Sequence, residues 1–161
     1  MTHRINLTDL PAPAAAALRA GRLRAMRDVM SEVFQRAEAV DDVGGGEFVP
    51  VHNGRRGPYG YKPPFASGDV IEVVDSWPVQ QHTTGRADIV RYRLVVVSVV
   101  PQQLGEATEE DAIAEGWRTK FDSVGHIEPL IVLWNHWDVS YPESETDELW
   151  TWLTRVEPKA R

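Results

Sequence analysis

The residues of this chain best suited to chemistry are two basic groups. The first is Arg22, Arg24 and Arg27 in ALRAGRLRAMRD (residues 17–28); the second is Arg55, Arg56 and Lys62, interleaved with Tyr59 and Tyr61. Guanidinium groups grip phosphate through paired hydrogen bonds. Cations alternating with aromatic rings on a loop suit phosphate contact with base stacking. Each group also has a plainer reading. The arginines can form an exposed helix face paired with Asp28 or Glu32, and the tyrosines can pack on the core. Arginine, with a pKa above about 12, is a poor proton shuttle, so these groups point to binding rather than acid–base work. His82, His126 and His136 are scattered without H-x-E or H-x3-H spacing, so no metal site is expected. The glycines at 44–46 lack the spacing of a phosphate loop, and no cofactor is expected.

The bulk numbers narrow the field. A chain of 161 residues fits one domain with a real core. The absence of cysteine excludes disulfides and thiolate chemistry and suits a cytosolic setting. No run of about 18 apolar residues exists, so no membrane span is expected, and PAPAAAAL is too short for a signal peptide core. A net charge of −7 argues against blanket affinity for nucleic acid. The charge is uneven, however. Residues 1–100 hold 12 Lys/Arg and 11 Asp/Glu, while 101–161 hold 5 and 13, so an anionic ligand would be met by the first part of the chain.

Several elements are readable locally. Residues 1–10 read as a flexible arm, and Pro11 to Ala20 as a helix with proline at its start. Met26, Val29, Met30, Val33, Phe34 and Ala37 recur at helical spacing, which fits either one helix over residues 12–39 or two separated at Gly21. Residues 41–62 form a glycine-rich connector with no core pattern. Ser67-Gly68-Asp69 is a turn before a strand at Val70–Val74. After a polar loop over 80–88, Ile89 to Val100 returns as a strand; its Leu94–Val100 part is apolar enough to be buried on both faces, and Pro101 should stop it. Thr108 stands as an N-cap with Asp111 three residues on, and Gly116 ends the short helix. Leu130 to Trp137 is a strand or a short helix into a strand. Leu149 to Val156 closes as a strand with Trp150, Trp152 and Thr154 on one face.

The segment after the apolar strand, T-E-E-D-A-I-A-E-G at 108–116, resembles the ASCH domain, a small β-barrel of the PUA-like superfamily. Three other segments resemble it in the right order. KPPFASGDVIEVVDSW (62–77) is similar to P-x-x-x-G-D-x-(L/I)-x-V-x-(E/D)-(T/S)-W. LWTWLTRV (149–156) is similar to the family's final strand. ALRAGRLRAMRD is similar to the G-R-K-T-x-T-R-R motif of phage-type members, with Gly21, Arg22 and Arg27 matching. The resemblance implies an α+β fold: a small twisted β-barrel with two or three flanking helices, one domain over 11–158 with residues 41–62 inserted. Barrel closure would join the strands near 70–74, 90–100 and 149–156. It further implies a cleft where Glu115, Arg22, Arg24, Trp77 and the 52–62 loop, including Tyr61 and Lys62, converge. In members that hydrolyse N4-acetylcytidine, a lysine, a threonine and a glutamate form the catalytic set. Here the lysine position is Leu23 and the threonine position Met26, so Glu115 is the one remaining acid/base candidate; Lys62 and Lys120 are the internal lysines that could stand in. The leading expectation is therefore a non-catalytic binding module for RNA, single-stranded nucleic acid or a modified nucleoside, in the cytoplasm of a bacterium or of a phage-infected host. The alternatives are an amidohydrolase on N4-acylated cytidine-type nucleosides and a phage-type accessory protein that binds another protein through its acidic half.

Overall fold

The chain is described here by a computed structural model covering residues 1–78, 86–142 and 145–160, with the side chains of 76–78 and 86–88 excepted. In chain order the elements are β1 (Thr2–Asn6), α1 (Ala12–Arg19), β2 (Ala25–Val29), β3 (Ala39–Gly44), β4 (Glu47–His52) and β5 (Arg55–Arg56). Then follow β6 (Val70–Pro78), β7 (Arg86–Gln103), α2 (Glu109–Ala114), β8 (Lys120–Asp122), β9 (Gly125–Ile127), α3 (Pro129–Ser140) and β10 (Trp150–Pro158).

The three strands expected to meet do so: β6, β7 and β10 form the centre of a five-stranded sheet in the order β1-β6-β7-β10-β2. The sheet curls into a half-barrel, flanked by three helices, and its two edges are β1 and β2. This is the small twisted α+β barrel that the resemblance implied, left open along one side.

Four local expectations differ from the structure. Residues 2–6, read as part of an arm, pair in parallel with β6, and the terminal ammonium and His3 both bind the Asp69 carboxylate, at 3.0 and 2.7 Å. The stripe from Met26 to Ala37 is not a helix. Gly21, at φ +71°, turns the chain after α1, and residues 25–29 become a strand because β10 offers an open edge whose pairing outweighs local periodicity. The connector 41–62 carries a second sheet, β3-β4-β5, which packs Phe48 and Tyr61 toward Phe34 and Trp152. Finally, β7 passes through Pro101 to Gln103, and Val97 and Val100 are 47% and 43% exposed, so this run is buried on one face only. Proline is tolerated there because β6 pairs with β7 no further than Val95, which leaves a direction in which no N–H is needed.

Residues 130–137 are helical, within α3, with Pro129 in the first turn and Leu133 and Trp137 buried one turn apart. The polar loop expected over 80–88, with His82, lies outside the described residues, except that the backbone of 86–88 begins β7. Three clusters make up the core. One lies between α1 and the sheet (Ala17, Leu18, Ile71, Leu94, Val96), one under α2 and α3 (Leu104, Ala112, Leu133), and one beneath the small sheet (Met30, Phe34, Trp150, Trp152).

Candidate functional site

Glu115 is the C-cap of α2, and its position follows from both ends of that short helix. At the start, Thr108 and Asp111 exchange hydrogen bonds in a capping box, with the Thr108 side chain accepting from the Asp111 N–H and the Asp111 carboxylate from the Thr108 N–H. At the end, Gly116 adopts φ +97°, and a Cβ there would stand 2.6 Å from the Pro13 carbonyl oxygen. Glycine thus lets α2 press against α1 while the chain reverses. The Arg24 N–H donates to the Ala114 carbonyl and ties the entry of β2 to the same helix end.

That arrangement delivers Glu115 to Arg27. The Arg27 Nε and Nη2 each donate to one Glu115 oxygen, both at 2.9 Å, and Nη1 donates to Thr151 Oγ1 at 2.8 Å. The Thr151 hydroxyl in turn donates to the Gln102 carbonyl. Both charged side chains are buried, 2% and 5% exposed. Burial pushes the Glu115 carboxyl up from its ordinary pKa, and the Arg27 guanidinium opposes that shift. One planar fork thus donates to both carboxylate oxygens and fixes Glu115 against Arg27.

Beside the ion pair lies a pocket of about 140 Å³ along the open edge of β2, close to the size of a cavity that holds a single six-membered ring. Phe65, Trp117 and Trp137 wall it, and Asp9 and Asp28 add carboxylates. Trp137 stacks with Tyr141 at 5.6 Å, and Trp117 packs against the His136 ring at 4.8 Å. Burial lowers the His136 pKa, which favours the neutral imidazole. Asp28 keeps solvent access, yet the protein packed around its carboxyl raises its pKa from the ordinary aspartate value. The strand edge contributes too. Val156 donates to the Arg24 carbonyl and Met30 to the Trp150 carbonyl. The even positions of β2 therefore face β10, and Ala25 and Arg27 turn their N–H and C=O groups to the open edge.

Of the residues singled out from sequence, Arg27 and Glu115 meet here and Met26 lines the same pocket, while Leu23 is buried in the core. Of the others, none whose side chain is described lines it. Arg22 is exposed, and Arg24 folds back, its Nη1 donating to the Gly21 and Leu23 carbonyls. Arg55 and Arg56 form β5, with Arg56 paired to Asp41 at 2.7 Å. Tyr61 bridges to Phe48 and packs edge-on against Phe34, and Lys62 is exposed. Neither Lys62 nor Lys120 lines the pocket, and the Trp77 side chain lies outside the described residues. Phe65, Trp117, Trp137 and Asp28 were not singled out as ligand contacts. The signals were Trp117 next to Gly116, and an aspartate where the G-R-K-T-x-T-R-R pattern has its last arginine. Among the described residues no group of three or more metal-ligating side chains forms, and no helix is long and apolar enough to cross a membrane.

The fold and site define an α+β half-barrel with an aromatic-walled pocket over a buried Arg–Glu pair. No protein-family model matches the chain, and no curated protein matches it. Among solved structures it is similar to an ASCH domain from Lactobacillus crispatus JV V101, with a TM-score of 0.48 and 14% identity over 98% of this chain and 79% of that one. This is the family that the motifs resemble; at such a score and identity the similarity transfers no residue role.

Proposed function

We propose that the protein is a binding module for RNA, single-stranded nucleic acid or a modified nucleoside, and that it seats one base in the pocket beside β2 without hydrolysing it. The observation that carries this reading is the ring-sized pocket itself. Its indole walls suit stacking, and the Asp28 carboxylate and the N–H and C=O groups of the β2 edge suit a base's donor and acceptor groups. Hydrolysis is disfavoured by the same geometry. Glu115 is held by Arg27, and among the described residues the pocket lining contains no lysine, serine, threonine or histidine to serve as a nucleophile.

Because Trp117 and Trp137 line the pocket, intrinsic fluorescence reports its occupancy directly. Saturable quenching is expected from cytidine or its N4-acetyl derivative. Asp28→Asn should weaken it by about tenfold or more, the scale of one charge-assisted hydrogen bond. Uridine, which presents a carbonyl where cytidine has an amino group, should bind less well. Release of acetate from N4-acetylcytidine would replace this reading with the hydrolase. Absence of quenching by any nucleoside or short RNA would overturn it in favour of a protein partner.

A further inference from the structure

We infer that a second groove, away from the base pocket, holds the phosphodiester backbone of a single-stranded nucleic acid. This inference rests on the binding-module reading and adds where the chain of phosphates runs. The groove, of about 740 Å³, forms where β10 stops short of the beginning of β7. The last paired residues are Pro158 and Leu94, and the Lys159 N–H still reaches the Arg93 carbonyl. Earlier residues of β7 run on with β6 alone, and the end of α1 closes the other side. Among the described residues, the step left between them is lined by four cations, Arg19, Arg91, Arg93 and Lys159, and by no Asp or Glu. All four are exposed, and Arg22 and Arg24 flank the groove residues Gly21 and Leu23.

Nearby acids do not cancel this charge. Glu72 accepts from both Arg4 and Arg93, at 3.0 and 3.1 Å, and so leaves one positive charge over. Asp75 sits 3.8 Å from Arg91. Glu72 and Asp75 are 12% and 29% exposed, but the Arg93 and Arg91 side chains are 56% and 44% exposed, so both guanidiniums keep N–H donors toward solvent that a phosphate can take. The C-terminal end of a helix would repel an anion. At the end of α1, however, the Ala17 and Leu18 carbonyls already accept from the N–H groups of Arg22 and Gly21, and the Gly21 carbonyl accepts from the Arg24 guanidinium. A second large groove is unfavourable to a polyanion. It is wider, about 1100 Å³, lies near the end of β2 and is lined by Glu32, Glu145 and Glu148 against Arg36, and the chain as a whole carries −7. Helix α1, about 12 Å long at 1.5 Å per residue, separates the two sites: Pro11 and Ala14 touch the base pocket, Leu18 and Arg19 the groove.

The test is fluorescence anisotropy of a labelled single-stranded RNA and the matching DNA, titrated across potassium chloride concentrations, with nucleoside quenching measured on the same proteins. Four phosphate contacts should give a plot of log affinity against log salt with a slope of about −3. In Arg19→Ala/Arg91→Ala/Lys159→Ala the slope should fall to about −1, while nucleoside quenching stays unchanged; the triple lysine/arginine counterpart Arg19→Lys/Arg91→Lys/Lys159→Arg should restore it. An alanine variant that keeps the original slope overturns the groove, and so does a protein that binds nucleosides but no oligonucleotide. Equal competition by polyglutamate overturns its assignment to nucleic acid. Oligonucleotide binding without nucleoside binding leaves the groove standing and sinks the base pocket instead.

Discussion

Arg27 illustrates how far a side chain's role depends on what folding brings to it. All three nitrogens of its guanidinium donate, to Glu115 and Thr151, and both charges lie out of water. Removing one partner strands the other, so Arg27→Ala should lower stability by about 3–5 kcal/mol. Replacing both partners with apolar residues, as in Arg27→Met/Glu115→Leu, should recover most of that loss. Urea denaturation of the single and double variants checks this; additive losses would mean that the two side chains do not act as a pair. From sequence, both residues stood out, but as a phosphate contact and an acid/base. That each is the other's partner was not legible, because 88 positions separate them and no local pattern encodes the pairing.

Elements differ in the same way. Helix α2 was readable because its determinants are local: a threonine, an aspartate three residues on and a terminal glycine. Thr108→Ala should cost about 1 kcal/mol through loss of the cap. Gly116→Ala should cost more, since it adds backbone strain to a collision with Pro13, and it should also disturb the pocket that Glu115 borders. Thermal unfolding of the two variants ranks these effects; an equal or smaller loss for Gly116→Ala would show that α1 and α2 can separate cheaply. Strand β2 was unreadable for the opposite reason. Met26, Val29 and Met30 satisfy a helical period as well as a strand's two faces, and only the open edge of β10 decides between them. The pocket inherits that opacity, for its walls come from β1, α1, β2, Phe65 and the neighbourhoods of α2 and α3.

At the scale of the molecule, one carboxylate anchors the free edge. The Asp69 carboxylate accepts the Ala66 N–H, the terminal ammonium and His3, and these hold its pKa well below the ordinary aspartate value. A carboxyl depressed in the folded state contributes stability above its unfolded pKa, about 3.9, and loses it as pH falls. Denaturation midpoints should therefore drop as the solution is acidified below about pH 5. Asp69→Asn should flatten that drop while lowering the plateau at neutral pH. An unchanged acid limb in the variant would assign the effect to other carboxylates, such as Glu72 or Asp111.

The pairing of both sheet edges with distant strands also sets a timetable. β1 waits for β6, some 68 residues on, and β2 waits for β10, with the Arg27–Thr151 bond spanning 124 residues. Synthesis delivers the N-terminal end first, at about 5–20 residues per second, so residues 25–29 emerge many seconds before their partner strand exists. During that interval helix and strand remain competing options for the Met26–Ala37 stripe. A chain so dominated by remote contacts closes late, and it spends its early life with its arginine fork and apolar strand edges open to whatever binds them.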